Sequence, residues 1–325
     1  MKIYISIFLF AIVMVSCKEN KKETDSTIVE SKVITQDTDS PIISVGKGPD
    51  ALFLTPNSSF LYVANVEDTF ISVVDTQTDK VVKSIDGIKY PWGFTRLAKS
   101  NLVAVSGYDK QLVIIDFTNH SIVNQKVFET HLGGIASDKE GKYIYVISID
   151  DNKVLQLNSK TLKVINTFSK GKGPDGIGIS SDDSTLFVTN TEDGTISVIN
   201  TLSNTQKIIE TGGKPELVHY NKDHSLLFIS NFLKNKIHII DTEKGGILKE
   251  IENVKTPEEA VLSKDEKLLY VVSFDSGELN VYDASTLEKQ SITYKTGNKP
   301  IGVMPVGNKL YVSNYGDNSI SIIKK

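Results

Sequence analysis

Three features of the sequence predict an all-β molecule, a seven-bladed β-propeller of four-stranded blades. Pro49, Pro91, Leu132, Pro174, Pro215, Pro257 and Pro300 recur at steps of 41–43 residues. After each come short runs of β-branched and aromatic residues, separated by polar turns rich in Gly, Asn and Asp. The runs lack the 3.6-residue periodicity that the repeats of a helical solenoid would show, so the units read as small sheets arranged in a ring.

The stretch Gly171–Asn200, GKGPDGIGISSDDSTLFVTNTEDGTISVIN, shows the unit most plainly. A Gly-x-Gly-Pro turn leads to a strand at Ile177–Ser180, a polar turn at Ser181–Ser184 and a strand at Leu186–Asn190. A turn at Asp193-Gly194 and a third strand at Ile196–Ile199 follow. The second strand reads Tyr62-Val63-Ala64-Asn65 in the first unit and Tyr145-Val146-Ile147-Ser148 in the third. It reads Phe187-Val188-Thr189-Asn190, Phe228-Ile229-Ser230-Asn231, Tyr270-Val271-Val272-Ser273 and Tyr311-Val312-Ser313-Asn314 in the last four. On these residues the chain from Ile42 to Lys325 resembles the YVTN family of β-propellers. The resemblance implies the fold and leaves function broad, because related propellers include surface proteins, lactonase-like enzymes and cofactor-bearing oxidoreductases. The second unit, with Leu102-Val103-Ala104-Val105-Ser106 after a shortened turn, departs most, and an irregular blade is expected there.

Asp75, Asp116, Asn158, Asn200, Asp241 and Asp283 recur where the third strand ends. Side chains of this kind cap turns by accepting nearby backbone N–H groups. Metal binding is the sharper alternative, but residues repeated once per blade lie far apart.

Ahead of the repeats, Lys2 and the apolar run Ile3–Val15 form a leader too short for a comfortable membrane span, ending at Val15-Ser16-Cys17. This resembles a bacterial lipoprotein signal, although Met14 and Ser16 stand where that family usually carries Leu and Gly or Ala. The resemblance implies cleavage of residues 1–16, lipidation of Cys17 and attachment to a membrane by acyl chains. An ordinary secretory leader with an incidental Cys is the alternative. Residues 17–41 are polar with few large apolar side chains and read as a flexible tether, leaving 42–325 for the propeller. Lys18-Glu19 resembles the export signals of some surface-exposed lipoproteins; a plain solvated linker reads equally well. The expected location is a bacterial cell envelope, at an outer membrane, periplasmic or surface-exposed.

The ring must also close. The last unit runs Leu310–Ser313 and Ile320–Ile323 and then ends, while Ile42-Ile43-Ser44-Val45 matches the place of Val81–Ile85 before the second unit. The N-terminal segment is therefore expected as the outer strand of the seventh blade, with Ile42, Ile43 and Val45 buried on a covered edge. A monomer is expected.

Counted from each Pro, positions +3 and +5 are mostly apolar, which assigns +2 and +4 to the central channel. There, glycines at Gly93, Gly134, Gly176 and Gly302 suggest crowding, while Phe53, His219, Glu259 and Met304 stand out. His219 and Glu259 fall on adjacent inner strands, as a catalytic pair or as a satisfied structural histidine with its partner. Position +1 carries Asp50, Asp175, Glu216 and Glu258, with Trp92 in the second unit. Lysines, among them Lys89, Lys172 and Lys214, lie one or two residues before the same Pro. One end of the channel is thus expected to carry a rim of mixed charge with a single Trp, either merely solvated or a docking face for a ligand or protein.

A formal charge of −4 with no Arg-rich or Lys/aromatic cluster argues against nucleic acid as a partner. The sequence carries no Cys-x-x-Cys-His, His-Glu-x-x-His, Gly-x-Ser-x-Gly or Walker-type motif, and its one Trp and five scattered His do not suit quinone, copper or haem sites. No cofactor or metal is expected. These readings favour a non-catalytic, lipid-anchored propeller that binds a small molecule, or a membrane or envelope protein. Propeller lipoproteins that pass corrinoids and similar nutrients to outer-membrane transporters look similar in plan. A lactonase-like hydrolase using His219 and Glu259 is the enzymatic alternative.

Overall fold

The computed structural model describes residues 33–34, 41–169 and 171–325. The leader, Cys17 and most of the tether lie outside the described residues. Seven antiparallel sheets, each with four strands taken from the repeats, surround a central channel. The fourth blade is typical, with its inner strand at Pro174–Ile179 followed outward by Thr185–Asn190, Thr195–Asn200 and Gln206–Glu210. Among the described residues the one helical turn is Tyr315–Asp317.

Each strand begins and ends where its side chains change character. The second and third strands alternate residues that pack against opposite neighbouring blades, so both faces are buried and the runs are almost continuously apolar. Outer strands face solvent and carry charge, as in Lys80–Asp86. All six Asp and Asn residues at the ends of third strands cap turns. Asp75 Oδ1 accepts the N–H groups of Gln77 and Thr78 at 2.9 and 2.8 Å, and Asn200 Oδ1 those of Leu202 and Ser203 at 3.0 and 2.8 Å.

The recurrent second-strand sequence has a physical role at each position. Its aromatic residue (Tyr62, Tyr145, Phe187, Phe228, Tyr270, Tyr311) packs into the cluster shared with the following blade. The next residue faces the preceding blade, as Val63 does beside Tyr311. Where the third residue is Thr189 or Ser313, its hydroxyl stitches the inner strands together, whereas Ser230 Oγ has no partner among the described residues and Ala64, Ile147 and Val272 carry no hydroxyl. Thr189 Oγ1 accepts the Gly176 N–H at 2.7 Å and donates to the Glu216 carbonyl at 2.8 Å, and Ser313 Oγ does the same for Gly302 and Asp50 at 2.8 and 2.7 Å. The Asn is fully buried and ties the next turn: Asn314 donates to Ser319 and Ser321 and accepts the Gly297 N–H.

The ring closes as expected. Ile42–Ser44 pairs antiparallel with Ser319–Ser321, and the Val45 N–H donates to the Asn318 carbonyl at 3.1 Å. Ile43 is buried and Val45 half-buried in the cluster between blades seven and one. Ile42, expected to be buried, is 66% exposed, because alternation along this outer strand turns it to solvent. The backbone of Val33–Ile34, within the segment read as a tether, pairs in parallel with Thr293 and Tyr294 and adds a fifth strand to the sixth blade.

The second blade has all four strands, at Pro91–Leu97, Leu102–Gly107, Gln111–Asp116 and Ser121–Val127. Its expected irregularity is confined to the first hairpin, where four residues join the paired Leu97 and Leu102; in the first blade six join Leu54 and Leu61.

The assignment of +2 and +4 to the channel holds in part: the +2 residues of all seven blades border the upper channel cavity, but of the +4 residues only His219 does. Side chains at +2 and +4 point at the following blade, and those at +3 and +5 at the preceding one, because both faces of every sheet are sandwiched between neighbours and the channel sees strand edges. Phe53 stacks on Phe94 of the second blade at 5.9 Å between centroids, and Met304 packs beside Leu61 of the first. The glycines at +2 are crowded, but by the next blade's backbone. A Cβ on Gly134 would lie 2.2 Å from the Asp175 carbonyl oxygen, and one on Gly176 2.3 Å from that of Glu216.

Candidate functional site

Immediately after each repeat's Pro, a bulge shifts the pairing of the inner strand with its neighbour by one residue. Residue +1 falls within this irregularity, and in six blades it lines one mouth of the channel: Asp50, Trp92, Asp175, Glu216, Glu258 and Ile301. The stitch described above fixes two of these residues by their own carbonyls, Asp50 through Ser313 and Glu216 through Thr189. The inner strands of all seven blades border the resulting cavity, whose volume is about 500 Å³.

Below the mouth, Phe94, Ile135, Ile177 and Val218, all at +3, form an apolar waist that lines this cavity and a second one of about 490 Å³ toward the opposite end. His219 borders both. The lower cavity carries Asp138, Lys139, Asp183 and His224 on its walls.

The mouth is acidic rather than mixed in charge. Asp50, Asp175, Glu192, Glu216, Glu258 and Glu259 line it, against Lys214 as the one lysine among the described residues there. Lys89 and Lys172 are exposed and do not line the cavity. Lysines before the Pro stay outside because that segment is still a surface turn, and Lys214 enters because it forms an ion pair with Glu216 Oε1. Burial, then repulsion from Asp175, Glu259 and Glu216, pushes the Asp50 carboxyl up to about 8. Burial and Glu216 raise Asp175 to about 6 against the pull of Lys214. Glu258 is likewise held well above the usual carboxylate range, by burial first and then by Glu216 and Asp50. These groups touch water in the cavity yet are ringed by protein on every other side.

His219 and Glu259 form the contact that their adjacent strands suggested, with His219 Nε2 and Glu259 Oε1 2.5 Å apart. Glu259 Oε2 also accepts the Val303 N–H of the seventh blade at 2.5 Å. In the sixth blade Val272 replaces the stitching hydroxyl and Glu259 replaces the +2 glycine, so the carboxylate straps blades five, six and seven together.

A set of aromatic residues on the turns beside the mouth, none of which lines the cavity itself, was not singled out from the sequence. The residue following each second strand donates its N–H to the carbonyl just before its own blade's Pro-type position, and Tyr108, Phe232, Phe274 and Tyr315 occupy this place in four blades. Trp92 lies 5.8 Å from the Tyr108 ring, which stacks on His131 at 4.6 Å. Phe232 and Phe274 meet edge to face at 5.9 Å, with Lys214 over the former and Lys299 over the latter. The signal was present in the position directly after the recurrent Asn, Gly or Ser.

Fold and site together define a seven-bladed propeller with an acidic, aromatic-rimmed channel mouth. No family model matches the chain, and no curated protein does. Among solved structures, the hydrazine synthase of Kuenenia stuttgartiensis superposes with a TM-score of 0.72 over 89% of this chain and 97% of that one, at 19% identity. In all, 1767 solved chains match, so the likeness carries the propeller fold and separates no function from another.

Proposed function

We propose that this chain is a non-catalytic propeller, held in a bacterial cell envelope by lipid on Cys17, that binds a small molecule or an envelope protein at the Trp92 mouth of its channel. The YVTN-like repeats and the lipoprotein-like leader support this reading. The observation that carries it is the delivery by the bulged strand starts of five different blades of one aromatic and four carboxylate side chains to a single cavity. Convergence of polar groups with perturbed acidities in an otherwise apolar concavity is the usual mark of a ligand site. Capture of a bulky nutrient beside an outer-membrane transporter fits the plan, and a corrinoid is the first ligand to try.

Immobilised full-length protein, exposed to solubilised envelope and to a corrinoid, tests the binding. Trp92→Ala should weaken capture by about 1–3 kcal/mol, the range of an aromatic hot spot, while leaving the melting temperature unchanged. Undiminished capture by the variant moves the site away from the mouth. Incorporation of labelled fatty acid into wild type and none into Cys17→Ala supports the anchor; no incorporation into wild type removes it.

The close His219–Glu259 contact favours one second reading, a lactonase-like hydrolase in which Glu259 orients His219 as a base toward water. Lactone turnover by wild type that is lost in His219→Ala would replace the binding role with this one. Glu259 already serves as a strap through Val303, which accounts for the pair without catalysis.

A further inference from the structure

The mouth gathers more carboxyl groups than its own residues pair. Lys214 is engaged by Glu216 Oε1, and both oxygens of Glu259 are taken by His219 and the Val303 N–H. The carboxylates of Asp50, Asp175 and Glu258 make no hydrogen bond or ion pair among the described residues. The decisive atom is Glu216 Oε2: its side chain lines the cavity, the residue is only 5% exposed, and this oxygen has no partner among the described residues. An enclosed carboxylate oxygen without a partner costs stability, and such a cost in a native protein calls for an explanation of this kind.

The surroundings narrow what would relieve it. Among the described residues no three acidic or imidazole groups converge as ligands of one ion, so the carboxylates ring the mouth instead of focusing on a point. Just below them lies the apolar waist of Phe94, Ile135, Ile177 and Val218, and beside them the Trp92 ring, whose face attracts cations.

We propose that the mouth binds a small organic cation, an ammonium or guanidinium group on an apolar stem. The cationic head sits among Asp50, Asp175 and Glu258, in front of the enclosed Glu216 carboxylate, and the stem lies on the waist. This deepens the binding reading above and rests on it. Ionised carboxyls in this ring repel one another; a cation among them relieves that repulsion and an anion of the same shape adds to it, so the mouth would discriminate between the two.

Trp92 is the one tryptophan in the chain, so its emission reports on this cavity alone. Full-length protein is titrated with hexylamine, hexanol, hexanoate and calcium chloride at physiological ionic strength, following Trp92 emission and, in parallel, calorimetric heat. Hexylamine is expected to bind saturably, at least about tenfold more tightly than hexanol, with no response to hexanoate. Glu216→Gln is expected to weaken hexylamine at least about tenfold and leave hexanol unchanged, since it removes charge while keeping shape. Asp50→Asn provides a second variant should the first melt early. Equal binding of hexanol and hexylamine, or unchanged hexylamine affinity in both variants, overturns the cation assignment while the mouth remains a ligand site. Saturation by calcium without hexylamine binding overturns it in favour of a metal ion. Silence toward hexylamine in both readouts also overturns it, and capture of an envelope ligand through Trp92 would then show that the broader reading survives on its own.

Discussion

The blade bodies and the channel mouth are built from the same repeat in opposite ways. In the bodies, many of the recurring polar groups are satisfied: Asn314 makes three hydrogen bonds, Thr189 stitches two inner strands, and each turn-capping Asp or Asn accepts two or more donors or a donor pair from one residue, while Asn65 Oδ1, Asn190 Oδ1 and Ser230 Oγ have no partner among the described residues. At the mouth, the copies diverge directly after the Pro, at +1 and again at +2 where Leu217 and Glu259 replace glycine, and the carboxyls of Asp50, Asp175 and Glu258 are left unpaired among the described residues. The contrast teaches that stability and function are separated by position within the repeat. A repeat array can hold a costly site because the six or more residues that bind blade to blade are not the ones that vary.

The largest break in this comparison comes from opening the ring. Deleting residues 1–45 removes the buried Ile43, the half-buried Val45 and the ladder to Ser319–Ser321, whereas deleting 1–40 leaves them. Burial of one full side chain together with two or three net hydrogen bonds amounts to about 3–5 kcal/mol, a large share of a typical folding free energy. The longer deletion should melt many degrees earlier than the shorter. Coincident melting curves would show that the N-terminal strand does not close the ring.

A smaller effect sharpens the same contrast inside one residue type. Gly176→Ala forces a Cβ onto the Glu216 carbonyl, at the seam that also sets a mouth residue, and should cost about 1–3 kcal/mol. Gly246→Ala meets nothing within 4 Å and should stay within about 0.5 kcal/mol of wild type. Denaturant midpoints decide it, and similar values for both variants would remove close approach as the reason for glycine at +2.

Much of this architecture was legible in the sequence. The period located the blades, and strand bounds such as Leu186–Asn190 came within a residue of the observed Thr185–Asn190. The N-terminal closing strand and the His219–Glu259 contact followed from counting alone. What escaped needed three dimensions. Alternation says that neighbours on a strand point apart, but not whether the second face meets the channel or the next blade, and in a stacked ring it meets the next blade. Charge at the rim was read as mixed because lysines sit beside the acids in sequence, yet the bulge after the Pro turns the acids inward while Lys89 and Lys172 stay on the surface turn. The aromatic set of Tyr108, Phe232, Phe274 and Tyr315 was visible as one column of the repeat and gained meaning only when the turns placed it beside the mouth.

The central claim is that ionising the carboxyls of the mouth costs stability, and the dependence of the melting temperature on pH between 7 and 9 tests it most directly. His120 and His238, kept neutral by burial with pKa values below the ordinary one, titrate under this window. The turn caps typified by Asp283, held down to about 2 by its hydroxyl and N–H donors, lose their contribution only in strong acid. Asp50 and Glu258 face Asp175, Glu216, Glu259, His219 and Lys214 across the cavity. Their folded-state values lie above those of the unfolded chain, near 4, so in this window the native state binds more protons and stability must fall as pH rises. For the full-length protein the account predicts a melting temperature that drops steadily from pH 7 to pH 9, and for Asp50→Asn a higher melting temperature at pH 9 with a shallower slope. A wild-type melting temperature that is flat or rising across the window, with Asp50→Asn no more stable than wild type at pH 9, would contradict it.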